Sequence, residues 1–273
     1  WILLTLASAF VLGVYDIFKK HAVHGNAVLP TLLFSTLSGW LGFSLYLTVA
    51  HDWAAVVLDA SAFGLIAIKA LVVAGSWFCA YTALRDLPVT IGAPIRASSP
   101  VWTLLGALLL FQEAPAWPQW LGLAVVASGH WLLSRAGRHE GIDFRRHRGV
   151  WLMLLATFLG AASSLYDKYL LQRRAIPCNT VQFWFAADLV LCFLVAWALS
   201  RLRSGAADRH PFQWRWSIPL AGLALIVADQ AYFQAVHTDG VLISVVSMLR
   251  RSSILVTFVF GALVFKDRNL RRK

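Results

Sequence analysis

Charged residues are scarce in this chain, and their scarcity excludes most classes of soluble protein. Only 14% of the 273 residues are Asp, Glu, Lys or Arg, whereas 59% are hydrophobic, and the mean hydropathy is +0.67. A typical soluble domain carries about 25% charged residues. The composition therefore indicates a polytopic membrane protein with little chain left for a soluble domain.

Cysteines and catalytic clusters are also sparse. The three cysteines, Cys79, Cys178 and Cys192, have neither the spacing of a disulfide framework nor that of a metal site. The eight histidines lie mostly in predicted loops or near helix ends, and no Ser, Cys or carboxylate pair has the spacing of a nucleophile with its base. We therefore expect no enzyme activity, no cofactor and no metal.

The hydrophobic residues are grouped into nine continuous runs. Each run is long enough to cross a bilayer core of about 30 Å as a helix. The runs are 1–22, 28–50, 61–84, 88–111, 116–134, 149–171, 179–200, 216–236 and 240–265. Strands of a membrane barrel would instead alternate in character over about ten residues. The sequence predicts an all-α polytopic fold.

The basic residues lie mainly on one side of these predicted helices. Alternate loops and the tail carry 17 Lys or Arg, and the opposite side carries three, which are Lys168, Arg173 and Arg174. Positively charged loops stay in the cytoplasm. The net charge of +11 therefore reflects the orientation of the chain in the cytoplasmic membrane and does not indicate a nucleic-acid partner. The basic loops are expected in the cytoplasm and the amino terminus outside.

An internal repeat organises the chain. "AYTALRDLPVTIGAPIRASSPVWTLLGALLLFQE" begins at Ala80 and "AYFQAVHTDGVLISVVSMLRRSSILVTFVFGALVFKD" begins at Ala231. The predicted domains are a five-helix repeat at 1–134, a basic cytoplasmic linker at 135–148 and a second repeat at 149–273. Five helices are an odd number, so the two copies are expected to be inverted. The second copy has four helices here, and we expect a tenth helix that this chain lacks.

Residues 96–129, "RASSPVWTLLGALLLFQEAPAWPQWLGLAVVASG", carry a family resemblance. They resemble the EamA-type ten-helix members of the drug/metabolite transporter superfamily. The resemblance implies a secondary transporter, and superfamily substrates include amino acids and other metabolites, nucleotide sugars and sugar phosphates. Family members usually have both ends in the cytoplasm, whereas the loop charges here favour an amino terminus outside.

Two matching polar stripes are the main candidates for a substrate site. Positions i, i+3 and i+7 share one helix face. The stripes are Arg250, Ser253 and Thr257 in the second copy, and Arg96, Ser99 and Thr103 in the first. An Arg at mid-membrane costs about 3 kcal/mol, which argues against a lipid-facing position. We expect the stripes to face each other across a cavity, or else each arginine to be structural and tied to a carboxylate or to helix-end carbonyls.

The neighbouring Arg251 points about 100° away from Arg250 on a helix. It either extends to the interface, bonds a neighbouring helix, or forms with Arg250 a dibasic pair similar to the phosphate-gripping pair of sugar-phosphate translocators. Pro94 and Pro100 bracket Arg96 and predict a bend in the fourth segment. The ninth segment has no proline in the matching stretch, so if one copy bends during transport, we expect it to be the first.

Other polar residues within the apolar runs are candidates by the same cost argument. Asp229 and Tyr232 are separated by about one helical turn in the eighth segment. Asp229 either holds a substrate ammonium, carries a coupling proton or neutralises an arginine. Tyr81 matches Tyr232 in the repeat and lines the cavity or the core. Asp188 and Lys69 are candidate coupling groups or charge partners.

The sequence thus predicts an alternating-access transporter that exports a small polar metabolite such as an amino acid or a similar zwitterion, with proton or counter-substrate coupling. The alternative substrate is an organic anion or phosphorylated metabolite held by several arginines. A non-transporting membrane scaffold is the alternative of a different class. It would not require buried charges that recur at a fixed spacing.

Overall fold

The computed structural model describes residues 1–87, 92, 95–96, 98–118, 120–122, 124–125, 128, 147–202 and 211–257. All regular secondary structure in these ranges is helical, which confirms the predicted all-α fold. The helices are α1 (Ile2–Val23), α2 (Val28–Val49), a short 3₁₀ helix (Trp53–Val56), α3 (Ala60–Asp86), α4 (Ser99–Phe111), α5 (Arg148–Lys168) with a π-helical continuation (Tyr169–Arg173), α6 (Cys178–Leu202), α7 (Ser217–His237) and α8 (Ile243–Arg250).

Six helices of the described chain are long and apolar enough to span a membrane. They are α1, α2, α3, α5 with its continuation, α6 and α7. Their ends agree with the predicted apolar runs within two residues. The agreement has a simple cause, because a chain in hydrocarbon must satisfy its backbone hydrogen bonds internally and a long apolar run therefore forms helix.

The remaining three predicted segments are described in part. The structure describes helix α4 and residues 92, 95–96 and 98 of the fourth segment, and most of the fifth segment (116–134) and of the linker (135–148) lies outside the described residues. The ninth segment, expected to be one helix over 240–265, is interrupted. Helix α8 ends at Arg250, residues 251–252 form a turn, and residues 253–257 are helical again.

The chain forms two compact units, and each unit draws on both halves of the sequence. The first unit consists of Trp1–Ala67, Ile176–Ala235 and the described residues from Leu249, and the second of Ile68–Ala175 and Val236–Met248. The division into sequence repeats at 1–134 and 149–273 stays a prediction.

Helices α2 and α6 form the core of the first unit. Phe43, Leu47, Val56 and Phe183 are buried together where these helices meet the short 3₁₀ helix. Two side chains of α6 tie this helix to the 3₁₀ segment, since the Thr180 hydroxyl and the Trp184 indole N–H donate to its carbonyl oxygens.

Close contact between α2 and α7 also shapes this unit. A Cβ on Gly39 would lie 2.8 Å from the carbonyl oxygen of Gly222. Only glycine permits the two backbones to approach so closely, as is common at membrane helix interfaces.

Buried ion pairs and a small apolar core hold the second unit. Ala83 and Leu87 pack against Val150 and Met153, which joins the end of α3 to the start of α5. Farther along α5, the consecutive residues Asp167 and Lys168 each form an ion pair inside the unit. These pairs place charge in the interior, where it must be matched.

Candidate substrate-binding site

Arg250 and Asp229 form a partly exposed ion pair within the described membrane segments. Arg250 is the last residue of α8, and its Nη2 donates a hydrogen bond to Oδ1 of Asp229 in the middle of α7. The two side chains are 20% and 16% exposed, respectively. Both residues belong to the first unit. Both charges are therefore partly shielded, and neither is fully buried.

Tyr232 completes the immediate surroundings of this arginine. It follows Asp229 by three residues on α7, which puts both side chains on one face of the helix. The Arg250 guanidinium carbon lies 4.2 Å from the centroid of the Tyr232 ring, within range of a cation–π interaction. Tyr232 and Asp229 together hold the guanidinium in one orientation.

The pair has polar capacity that the described residues do not use. Arg250 Nε is buried and has no hydrogen-bond partner among the described residues. On the other side, Asp229 lines a cavity of about 20 Å³ together with Thr36 and Gln182. Gln182 is 1% exposed, and its Oε1 has no partner within the described part of the chain. A volume of this size is sufficient for about one water molecule.

The hydroxyls of the second stripe are directed mainly at backbone atoms. The Thr257 hydroxyl is within hydrogen-bond distance of the carbonyl oxygens of Ser253, at 3.0 Å, and Gly13, at 3.4 Å. Ser253 itself is buried. Among the stripe residues, Arg250 therefore has the best geometry for a ligand.

The first stripe lies in the second unit. Arg96 is exposed, whereas Ser99 and Thr103 are buried. The Thr103 hydroxyl donates to the Ser99 carbonyl at 3.2 Å, and the Ser247 hydroxyl lies 3.5 Å from the Thr103 oxygen. That Arg96 and Arg250 face each other across a cavity stays a prediction.

Both stripes begin at a break with the same local geometry. Ser98 donates its amide and its hydroxyl to the carbonyl of Ile95, at 3.1 and 2.7 Å. Ser252, which is 154 residues later, makes the same two bonds to Leu249, at 3.0 and 2.8 Å. A serine that bonds a preceding carbonyl competes with the regular helical ladder and bends the helix.

The break in the ninth segment arises without a proline, and that the first copy bends during transport stays a prediction. The matching stretch of the ninth segment has no proline, yet the amide of Ile254 bonds the carbonyl three residues back, at Arg251, rather than four. The serine, which occurs in both copies, is the local cause that the two breaks share.

The other predicted site residues are dispersed. Arg251 is partly buried in the turn after α8, and the side chain of Tyr81 lies outside the described residues. Asp188 on α6 is 9% exposed, and its Oδ2 has no hydrogen-bond partner among the described residues. The Nζ of Lys69 on α3 lies 2.6 Å from Oδ1 of Asp167, and the Lys69 and Asp167 side chains are 3% and 5% exposed, respectively.

Sequence reasoning missed a second buried pair, formed by Glu113 and Lys168. In the sequence, Lys168 counts among the charges of the less basic side and has no predicted partner, but its Nζ lies 2.6 Å from Glu113 Oε1 and 3.1 Å from the carbonyl oxygen of Val241. Glu113 also accepts hydrogen bonds from Ile243 N at 2.8 Å and from the hydroxyl of Ser244 at 2.6 Å. One signal was present in the sequence, because the repeat matches Glu113 with another acidic residue.

Comparisons with known proteins agree with this architecture. Residues 1–135 match the sequence profile of the EamA-like transporter family. The chain belongs to the EamA-like transporter family. This membership, together with the six apolar spans, identifies the chain as a multi-pass membrane transporter. Members of this family are transporters rather than enzymes.

Structural similarity extends over nearly the whole chain. A protein of known crystal structure superimposes with a TM-score of 0.67 and 17% sequence identity, over 97% of this chain and 87% of the other. At this identity the likeness shows the fold alone. No curated protein sequence matches the chain significantly.

Proposed function

We propose that this EamA-like transporter moves a small zwitterionic metabolite, of the amino acid class, across the cytoplasmic membrane. The observation that carries the proposal is the partly exposed pair of Arg250 and Asp229 within otherwise apolar helices. A zwitterion presents one carboxylate and one ammonium group, so it offers an opposite charge to each member of the pair.

Charge balance favours this substrate class. The pair is neutral, and a bound zwitterion keeps the site neutral while its carboxylate bonds Arg250 and its ammonium bonds Asp229. Leaving one of these charges buried without a partner would cost roughly 3–5 kcal/mol. The Nε of Arg250, which has no partner in the described chain, would supply a second donor for a two-pronged bond to the carboxylate.

The alternative substrate, an organic anion or phosphate ester, is less well supported. Asp229 already neutralises Arg250, so the site lacks the excess positive charge that a dianion requires. This alternative also requires Arg96 and Arg251, and Arg251 lies in the turn after α8. The transport assay below includes phosphorylated metabolites so that this alternative is tested directly.

Alternating access is the mechanism we propose, with export as the direction that the family resemblance implies. The matched breaks at Ser98 and Ser252 support it, because they give both predicted repeats a point at which a helix can pivot. The loop charges support an orientation with the basic loops in the cytoplasm. Coupling to a proton gradient or to a counter-substrate completes the proposal.

The decisive assay is counterflow in liposomes that contain the purified chain. Each amino acid of a panel is loaded into vesicles in turn, and vesicles loaded with a substrate should accumulate the labelled form of the same amino acid. Vesicles loaded with a phosphorylated metabolite should not accumulate the labelled form of that metabolite. Repeating the assay with an imposed pH gradient tests proton coupling. The proposal is wrong if no member of the amino acid panel exchanges.

Variants at the pair separate substrate binding from a purely structural role. Arg250→Ala and Asp229→Asn should each abolish exchange, and Arg250→Lys should reduce it at least tenfold because an ammonium cannot form the planar fork. The matched control is Asp16→Asn, which removes the partner of Lys19 in a pair with 27% and 31% exposed side chains. This control should keep normal exchange.

A double variant tests the structural reading most sharply. Arg250→Ala combined with Asp229→Ala leaves no charge unpaired, so a purely structural pair predicts recovery of both folding and exchange. Our proposal predicts recovery of thermal stability without exchange. Exchange at the unmodified rate in the double variant would refute a role of the pair in substrate binding.

A further inference from the structure

A large groove in the second unit is independent of the proposed transport site. It has a volume of about 940 Å³ and lies between α4 and α5 with its π-helical continuation. Its walls include Trp102, Leu109, Phe158 and Leu165. A Cβ on Gly106 would lie 3.3 Å from Leu165 Cγ, so the two helices approach closely beside the groove.

The open side of the groove suits a hydrocarbon chain. Leu109 and Leu110 are 81% and 67% exposed at its edge, and the adjacent helix Arg148–Arg173 is one of the apolar spans. From Trp102 to Phe111, α4 rises about 14 Å at 1.5 Å per residue. Lipid tails surround such a span, and the apolar groove is long enough to hold part of one tail.

Two arginines lie at one end of this groove. The π-helix Tyr169–Arg173 ends the span, and Ala175 with a φ of 50° follows it. Arg173 and Arg174 line the groove and are exposed. The Arg173 guanidinium carbon lies 6.0 Å from the centroid of the Phe111 ring, so this cation lies beside the apolar wall.

We propose that this groove binds an anionic phospholipid, with one acyl chain along the apolar wall and the phosphate at Arg173 and Arg174. Charge complementarity supports this occupant, because the described lining residues include two guanidinium groups and no carboxylate. Guanidinium groups bind phosphate through charge-assisted and often bidentate hydrogen bonds. A soluble phosphate would contact the arginines but would leave the apolar wall without a partner.

Tyr166 and Tyr169 strengthen the assignment of the headgroup end. Their rings stack with centroids 5.6 Å apart, and both line the groove near the arginines. Tyrosine is enriched at the membrane interface, where its ring contacts the tails and its hydroxyl contacts the headgroups. Along the groove, the apolar wall is followed by the two tyrosine rings and then by the two arginines. A phospholipid presents its tail, glycerol and phosphate in the same order.

Native mass spectrometry of the detergent-purified chain tests the proposal. The protein is incubated with phosphatidylglycerol or with phosphatidylcholine of the same acyl chains, and the lipid adducts that survive activation are measured. We expect one retained phosphatidylglycerol, at least fivefold more abundant than the phosphatidylcholine adduct. Excess soluble glycerol phosphate should not displace it.

Variants test the two ends of the groove separately. Arg173→Ala with Arg174→Ala should lower phosphatidylglycerol retention to the level of phosphatidylcholine, whereas Arg201→Ala, which removes an exposed arginine near the end of α6, should not. Ala162→Phe should reduce retention of both lipids by filling the groove. Leu110→Gln, at an exposed position, tests the same wall if the first variant misfolds.

Three results would overturn the proposal. They are equal retention of the two lipids by the unmodified chain, unchanged phosphatidylglycerol retention in the double arginine variant, and displacement by soluble glycerol phosphate. Circular dichroism of each variant checks that the helical content is retained, so that loss of lipid binding reflects the groove itself.

Discussion

Replacing Glu113 by alanine is expected to destabilise the second unit more than removal of any surface charge. The Glu113 side chain is 1% exposed, and its partner Lys168 is 11% exposed. The substitution leaves the Lys168 ammonium buried without its carboxylate. It also removes the acceptor of the first two amide groups of α8, those of Ile243 and Ser244.

The magnitude follows from these two losses. Removing one partner of a buried ion pair costs roughly 3–5 kcal/mol. Loss of a helix N-terminal cap costs about 1 kcal/mol in addition. We therefore expect a loss of about 4–6 kcal/mol in the free energy of unfolding, which is roughly a thousandfold or more in the unfolding equilibrium. Pairing Glu113→Gln with Lys168→Met removes the unmatched charge and should recover at least half of this loss.

Unfolding of the purified chain in mixed micelles with increasing dodecyl sulfate, followed by circular dichroism, measures these differences. Asp16→Asn is the control, because a half-exposed pair contributes less than about 1 kcal/mol. If Glu113→Ala costs no more than this control, the pair does not stabilise the unit. If the double variant is as unstable as the single one, buried charge is not the cause.

Three further outcomes are expected from local geometry, each measured by the same unfolding assay. Gly39→Ala should destabilise because its Cβ would lie 2.8 Å from a carbonyl oxygen of α7, whereas Gly64→Ala in α3, with no atom within 4 Å, should stabilise by up to about 1 kcal/mol. Asn26→Ala should cost about 2 kcal/mol, since this buried side chain bonds both α1 and the segment before α7, and Asn26→Asp should lose part of the same stability. Lys69→Met should cost roughly 3–5 kcal/mol by removing the ammonium group that lies 2.6 Å from the buried Asp167 carboxylate, and adding Asp167→Leu should restore most of this loss.

The spanning helices were predictable because hydropathy is a property of short stretches, and a bilayer has a fixed thickness. The same reasoning identified Arg250 and Asp229, since a charge in an apolar run is costly wherever its partner lies. Of the three roles considered for Asp229, the structure shows that it contacts an arginine. Its contribution to substrate binding stays a prediction.

The partners of the remaining charges could not be predicted. Asp167 and Lys168 are consecutive, and each pairs with a residue of a different helix, Lys69 in one case and Glu113 at the end of α4 in the other. No spacing rule encodes such pairs, because the partners are distant in the sequence and meet only when the helices pack.

Sequence alone thus determined the bounds of the six long apolar helices, on which side the basic loops are expected, and which charges are unusual. These properties depend on composition within a single helix. Tertiary structure decided that Arg250 meets Asp229 and Tyr232, that the ninth segment breaks at Ser252 without a proline, and that a groove with two arginines at its mouth borders α4. Each of these depends on atoms that different segments bring together, and in an apolar medium those contacts decide where a charge is stable.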